Sequence, residues 1–293
     1  MTTIALGIPH TPWVPARVES MARLRGELEI HEHDDTNDES GYPACSGTEA
    51  LEKGMCGPPL GPAHYREFTD RAPNNVWAEA LWTWLHETGA DWCLQLQDDV
   101  MVAPCFWPAI RAMLSALPPD ADIVGLTSTH PMAPDVAKRG HRWYRTEANL
   151  VGWAYCIRRE ALGEFLEGRA QLPPKFREQN EDEQIAEWAR VSGRGVWHPV
   201  PAIIDHDTSI PSSYKNDAHS HRRPQVTWRT YDERELTDPT WWIPSGTPEL
   251  LAMPPQFECW ACGKEAAPLR FPNGLRLGKQ CIANIMSNLV NRL

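Results

Sequence analysis

Apolar and polar positions along this chain repeat in short buried runs separated by amphipathic stretches. Residues 3–9 form a first apolar run of strand length. A helix is expected to open directly after it at Pro15, because proline's fixed φ suits the first helical position. Further on, Trp77, Leu81, Trp82 and Leu85 recur at helical spacing and predict a buried face on a helix over 76–88. Gly89 should end that helix. The run Trp92-Cys93-Leu94-Gln95-Leu96 follows as a second buried strand, with a helix over 106–117 behind it. Strands are expected over 122–126, 150–157 and 195–207, helices over 159–166 and 185–191, and an irregular basic loop over 130–144. Strands alternating with helices from residue 1 to about 240 predict a three-layer α/β sheet.

Composition narrows the classes. The chain has 293 residues, of which 42% are hydrophobic, enough for one large α/β domain with a small appendage. A formal charge of −11 argues against a protein that coats nucleic acid without regard to sequence, since that affinity comes from basic contacts to phosphate. No apolar run reaches eighteen residues, and the start of the sequence lacks the pattern of a secretion signal, so no membrane span and a cytoplasmic location are expected. Cys45, Cys56, Cys93, Cys105 and Cys156 are scattered without framework spacing and read as free thiols.

The chemistry begins where the second buried strand ends, at Gln97-Asp98-Asp99. In open α/β sheets, ligands bind outside the carboxyl ends of strands. Two carboxylates about 4 Å apart repel by roughly 4 kcal/mol at an effective dielectric near 20. Protonation, water or a cation must relieve this, and a hard divalent ion carrying a phosphate-bearing substrate does so best. A solvated turn or helix cap would be the bland reading of the same pair.

With its hydrophobic strand before and its apolar, proline-containing segment after, this stretch resembles the metal-binding segment of GT-A glycosyltransferases, in the Glu/Gln-Asp-Asp variant of the DxD motif. The resemblance implies a GT-A fold, a nucleotide-diphospho sugar as donor, and Mn2+ or Mg2+ held by Asp99 with Asp98 alongside. It makes Arg17, Arg71 and Asn75 candidates for nucleotide contacts, and Gly152 and Trp153 for lining the donor-sugar and acceptor pocket. In the cluster Asn180-Glu181-Asp182-Glu183, it implies that Asp182, with Glu181 or Glu183 next in order, takes the proton of the attacking hydroxyl if the reaction inverts. Read alone, those acids complement a helix dipole. His206 is expected to complete the metal shell. Residues 208–223, rich in Lys, His and Arg, read as a flap over a diphosphate. The acidic, His-containing stretch 27–61 reads as a strand followed by a hydrated loop.

Three regions are expected: a catalytic domain over 1–237, a proline-rich linker over 238–255, and a module over 256–293. Cys259-Trp260-Ala261-Cys262-Gly263 followed by Cys281 resembles a treble-clef or zinc-ribbon knuckle holding structural zinc. Asn284 stands where a fourth cysteine belongs, so the fourth ligand is open. The module's basic balance suits an anionic macromolecular acceptor, nucleic acid or protein. Two rival readings are a nucleotidyltransferase, for which 7–12 is a poor phosphate loop, and a non-catalytic adaptor working through the zinc module.

Overall fold

The computed structural model describes residues 2–28, 61–69, 74–177, 180–207, 209–210, 224–246, 248–251, 269–270 and 276–277. Strand β1 (Ile4–Pro9) leads into helix α1 (Pro15–Glu27), which starts on its proline as the sequence demands. Strand β2 (His64–Phe68) precedes α2 (Asn74–Glu87), and Leu81, Trp82 and Leu85 form the fully buried face of that helix. Gly89 then turns the chain at φ 76°, a left-handed conformation that costs glycine nothing. Every residue of β3 (Trp92–Leu96) is buried. The chain leaves the main sheet at 97–99 and starts a new strand, β4 (Val100–Val102), before α3 (Phe106–Ser115).

The next elements are β5 (Ile123–Gly125), α4 (Ala133–Lys138), β6 (Trp143–Thr146), β7 (Ala154–Arg158) and α5 (Arg159–Gly168). The loop expected over 130–144 is therefore partly ordered: α4 and the start of β6 fall inside it, and Tyr144 is completely buried. After the short α6 (Pro174–Arg177) and α7 (Glu181–Val191), the expected closing strand is split into β8 (Val196–Pro199) and β9 (Ile204–His206). Helix α8 (Glu233–Thr237) and β10 (Glu249–Leu250) complete the large unit. A separate antiparallel pair, β11 (Leu269–Arg270) with β12 (Arg276–Leu277), lies within the C-terminal region.

Eight strands form one mixed sheet in the order β10-β6-β8-β5-β7-β3-β1-β2. β1 pairs in parallel with β2 and β3, and β5 with β8, whereas β7 runs antiparallel between β3 and β5. The carboxyl ends of β1, β2, β3, β5 and β8 therefore share one rim with the start of β7. Side chains alternate across the sheet as the pleat requires. Ile4, Leu6, Ile8, Trp92, Leu94 and Leu96 pack in one core with Met21 and Leu24 of α1 and Phe106 and Ile110 of α3. Ala5, Cys93, Tyr155 and Ile157 pack in a second with α2, α5 and α7. Helices thus cover both faces, the three layers expected.

The stretch read as a linker packs on this unit as far as the described residues run. Trp242 is fully buried, its carbonyl accepts the Trp143 indole N–H, and Leu251 donates to the Arg145 carbonyl. No helix among the described residues is long and apolar enough to cross a membrane. Cys93, Cys105 and Cys156 are free thiols.

Candidate functional site

Residues 97–99 turn at the shared rim, between the end of β3 and the start of β4, so the Asp pair stands where the sequence reading put it. Both carboxylates are buried, Asp98 completely. Their mutual repulsion is answered from α1: Arg17 donates from one terminal nitrogen to Asp98 Oδ1 and from the other to Asp99 Oδ2 at 2.7 Å. Such a fork bridges two carboxylates in a geometry a lysine cannot supply. Asp98 is further bound at Oδ2 by His10 Nδ1 at 3.1 Å and by the Thr11 backbone N–H at 2.9 Å, both just past the end of β1. Asp98 is consequently fully engaged by protein groups.

Asp99 is not. Strand β9 pairs with β4 in antiparallel register, Val100 opposite His206, and this two-stranded ribbon carries His206 back to the Asp pair. His206 Nε2 lies 3.2 Å from Asp99 Oδ2. Burial would push the Asp99 carboxyl up, but the His206 hydrogen bond and the Arg17 charge outweigh it and hold the group below the usual aspartate value. Asp99 Oδ1 and His206 Nδ1 are buried without a hydrogen-bond partner. The unsatisfied carboxylate oxygen of Asp99 suits a hard divalent ion, whereas His206 turns Nε2 toward Asp99 and its Nδ1 therefore points away from it. Among the described residues, no group of three or more His, Cys, Asp or Glu side chains is gathered for a metal. Asp98 is thus separated from the expected metal set by its bonds to Arg17, His10 and Thr11.

Trp153 joins this cluster to a second one. Its ring stacks on His206, centroids 4.3 Å apart and planes 8° from parallel, and its carbonyl accepts the Gln97 backbone N–H at 2.8 Å. Gly152 beside it donates its N–H to Asp182 Oδ2 at 3.0 Å. A Cβ on Gly152 would come within 2.9 Å of Glu181 Oε1 and 3.3 Å of Asp182 Oδ2. The glycine's close approach is therefore to two carboxyl groups at the first turn of α7. Burial, then the neighbouring Asp182, push the Glu181 carboxyl up to about 8. Burial, then Glu183, raise that of Asp182 as well. Such displaced acids in one cluster mark a candidate for proton transfer.

No family model matches this chain. No curated protein matches it in sequence either. Among solved structures it is similar to A197 from STIV, at 15% identity over 70% of this chain and 85% of that one, TM-score 0.35. It is similar to CMP:2-keto-3-deoxy-manno-octonic acid synthetase complexed with CTP, at 14% identity over 67% and 89%, TM-score 0.36. A third is the mannosyltransferase PcManGT from Pyrobaculum calidifontis in complex with GDP-Man and Mn2+, at 15% identity over 66% and 53%, TM-score 0.35. Likeness this distant says nothing about what this chain acts on.

The fold thus brings Arg17, Asp98, Asp99, Gly152, Trp153, Glu181, Asp182 and His206 into one connected cluster. Glu183 is exposed and reaches the cluster only through its backbone N–H, which donates to Asp182 Oδ1 at 2.9 Å. Asn75 stands in the first turn of α2, with its side chain outside the described residues, as are Arg71, Cys259, Cys262, Cys281 and most of 208–223. Two participants were missed in the sequence. His10, a lone histidine past a strand, had as its signal only that position at a carboxyl end. Gln97, whose Nε2 lies 3.4 Å from Glu181 Oε1, was read only as part of the motif.

Proposed function

We propose that this chain is a metal-dependent glycosyltransferase that moves a sugar from a nucleotide-diphospho donor to an acceptor hydroxyl. The observation that carries this reading is the convergence of two acidic clusters, 98–99 and 181–182, with His206 and Trp153 between them at the carboxyl rim of the sheet. In it, Asp99 with His206 beside it would hold Mn2+ or Mg2+, which would supply Lewis acidity to the diphosphate leaving group. Arg17 keeps the Asp pair in place, and its charge stands beside the diphosphate. Asp182, ionised and anchored by two backbone N–H groups, accepts the proton of the attacking hydroxyl. Trp153 offers an aromatic face to the sugar, and Arg71 and Asn75 contact the nucleotide.

The region 256–293 is part of the same proposal: Cys259, Cys262 and Cys281 hold structural zinc, and the module presents a macromolecular acceptor, nucleic acid or protein, to the catalytic domain over 1–237. A panel of nucleotide-diphospho sugars assayed for release of nucleoside diphosphate should show manganese-dependent turnover with at least one donor. Asp99→Asn should lower that turnover at least 100-fold while leaving the fold intact by circular dichroism. Finding no manganese-dependent release from any donor would remove the reading.

A further inference from the structure

Glu181 stands at the end of a chain of hydrogen bonds that all run one way. Trp82 of α2 donates from its indole nitrogen to the Tyr155 hydroxyl at 2.8 Å. An indole N–H only donates, so the Tyr155 oxygen is the acceptor there and its own hydrogen goes elsewhere. It goes to Gln95 Oε1, at 2.6 Å. With its oxygen held by Tyr155, the Gln95 amide turns its NH2 group the other way, to the Gly152 carbonyl at 3.3 Å and Glu181 Oε1 at 3.5 Å. Gln97 Nε2 approaches the same Oε1 at 3.4 Å. These last contacts are long, yet their sense agrees: amide donors converge on Oε1 and make it the acceptor oxygen of the carboxyl. A proton on Glu181 therefore belongs on Oε2, which is buried and has no partner among the described residues.

Among the described residues no cation pairs with Glu181, and only amide donors and the start of its own helix favour a negative charge there. Asp182 and Glu183 follow it on the same helix, β7 presents Tyr155, β3 presents the neutral Gln95, the turn after it presents the neutral Gln97, and α2 presents Trp82. The cations near α7 among the described residues are engaged elsewhere: Arg169 with Gln184, Glu79 and the Trp82 ring, Arg190 with Glu187, and Arg194 with Asp122, Glu164 and the Trp188 ring. Asp182 differs, because both its oxygens accept backbone N–H bonds, as an ionised carboxylate's would. Adjacent acids in one helical turn are thus given opposite protonation states by their surroundings.

We propose that Glu181 is a positioning residue, a buried acid kept neutral beside Asp182 so that Asp182 alone carries the charge that takes the acceptor's hydroxyl hydrogen. The role rests on the glycosyl-transfer reading above. In the step, Asp182 takes the hydroxyl hydrogen. The oxygen's electron pair forms the bond to the sugar's anomeric carbon, and the pair of the breaking bond leaves with the diphosphate. Glu181 keeps its proton throughout. Gln95, Gln97, Tyr155 and Trp82 are positioning residues that fix which of its oxygens is protonated.

Infrared difference spectra of the full chain, wild type against Glu181→Gln, should show the carbonyl stretch of a protonated carboxyl at pH 7. Tyr155→Phe, which frees the Gln95 amide to rotate, should move the titration midpoint of that band by about half a pH unit or more. In turnover, kcat/KM for the acceptor should fall as pH rises and Glu181 ionises. Glu181→Gln, which stays neutral at every pH, should lose this alkaline limb at a cost under about tenfold, against about 10²–10⁴-fold for Asp182→Asn. Absence of the band at pH 7 in an enzyme that turns over, or a Glu181→Gln enzyme as inactive as Asp182→Asn, overturns the role of Glu181. A band present in a protein that turns over no donor strikes instead at the transferase reading, and the assigned role falls with it.

Discussion

Arg17 shows how a single side chain sets the state of the site. Buried to 6% exposure, it satisfies one oxygen of each member of the Asp pair, and among the described residues neither acid pairs with another arginine or lysine. Taking one partner from a buried ion cluster leaves uncompensated charge, which typically costs about 3–5 kcal/mol. Arg17→Met, with a similar apolar stem, should lower unfolding stability by about that amount at pH 7 in urea titration. Arg17 helps hold the Asp99 carboxyl below the usual aspartate value, so the stability it contributes is present above that value and lost as pH falls through the lowered one, and the deficit should shrink in acid. A deficit independent of pH would mean that packing, not charge, is what Arg17 contributes. Asp98, Asp99, Gly152, Trp153, Asp182 and His206 could be named from the sequence only through the motif and its resemblance, because each also had a bland role as a turn, a cap or a core residue. The sequence did not carry the burial of Arg17 or the company of His10, since a helical arginine is ordinarily solvated and only the sheet's register shows what faces it.

At the scale of elements, the site depends on where chains turn. β3 hands over to β4 across 97–99, and β4 finds β9, so one short ribbon joins Asp99 to His206. The approach to β7 joins Gly152 to α7 in the same manner. Gly152→Ala would place a methyl within 2.9 Å of Glu181 Oε1, closer than real contacts allow, and must displace the carboxyls or the turn. Expected is at least a tenfold loss of turnover with a change under about 2 kcal/mol in stability, read by steady-state assay beside thermal melts. Unchanged turnover would detach the 150–153 turn from the chemistry. Helices with strong apolar spacing were legible: α2 was expected over 76–88 and runs Asn74–Glu87. β2 and β6 were not. His64-Tyr65-Arg66-Glu67-Phe68 buries only Phe68, and Trp143-Tyr144-Arg145-Thr146 sits in basic surroundings, so neither shows the alternation of a half-buried strand. Pairing with β1 and β8 overrides their local pattern.

Across the whole molecule, the large unit has its own cores and its own site, and no described contact makes that site depend on 256–293. Removing those residues should leave manganese-dependent donor hydrolysis within about threefold while abolishing bound zinc, measured by atomic emission on the purified protein. Loss of hydrolysis on truncation would favour the adaptor reading, in which the tail carries the function. The three-layer class was legible because strands and helices alternate in order; the mixed sheet was not, because nothing local tells β7 to run against its neighbours. Strand β10 adds a spatial corollary. It is laced to β6 at the far margin of the sheet, five strand spacings from β3, or about 24 Å at the usual interval. Whatever follows Leu251 sets out from that margin, so a tethered guest delivered to the Asp pair must cross a span worth roughly seven fully stretched residues. Shortening the tether between 252 and 258 would then ration access by length alone, with every reacting group untouched.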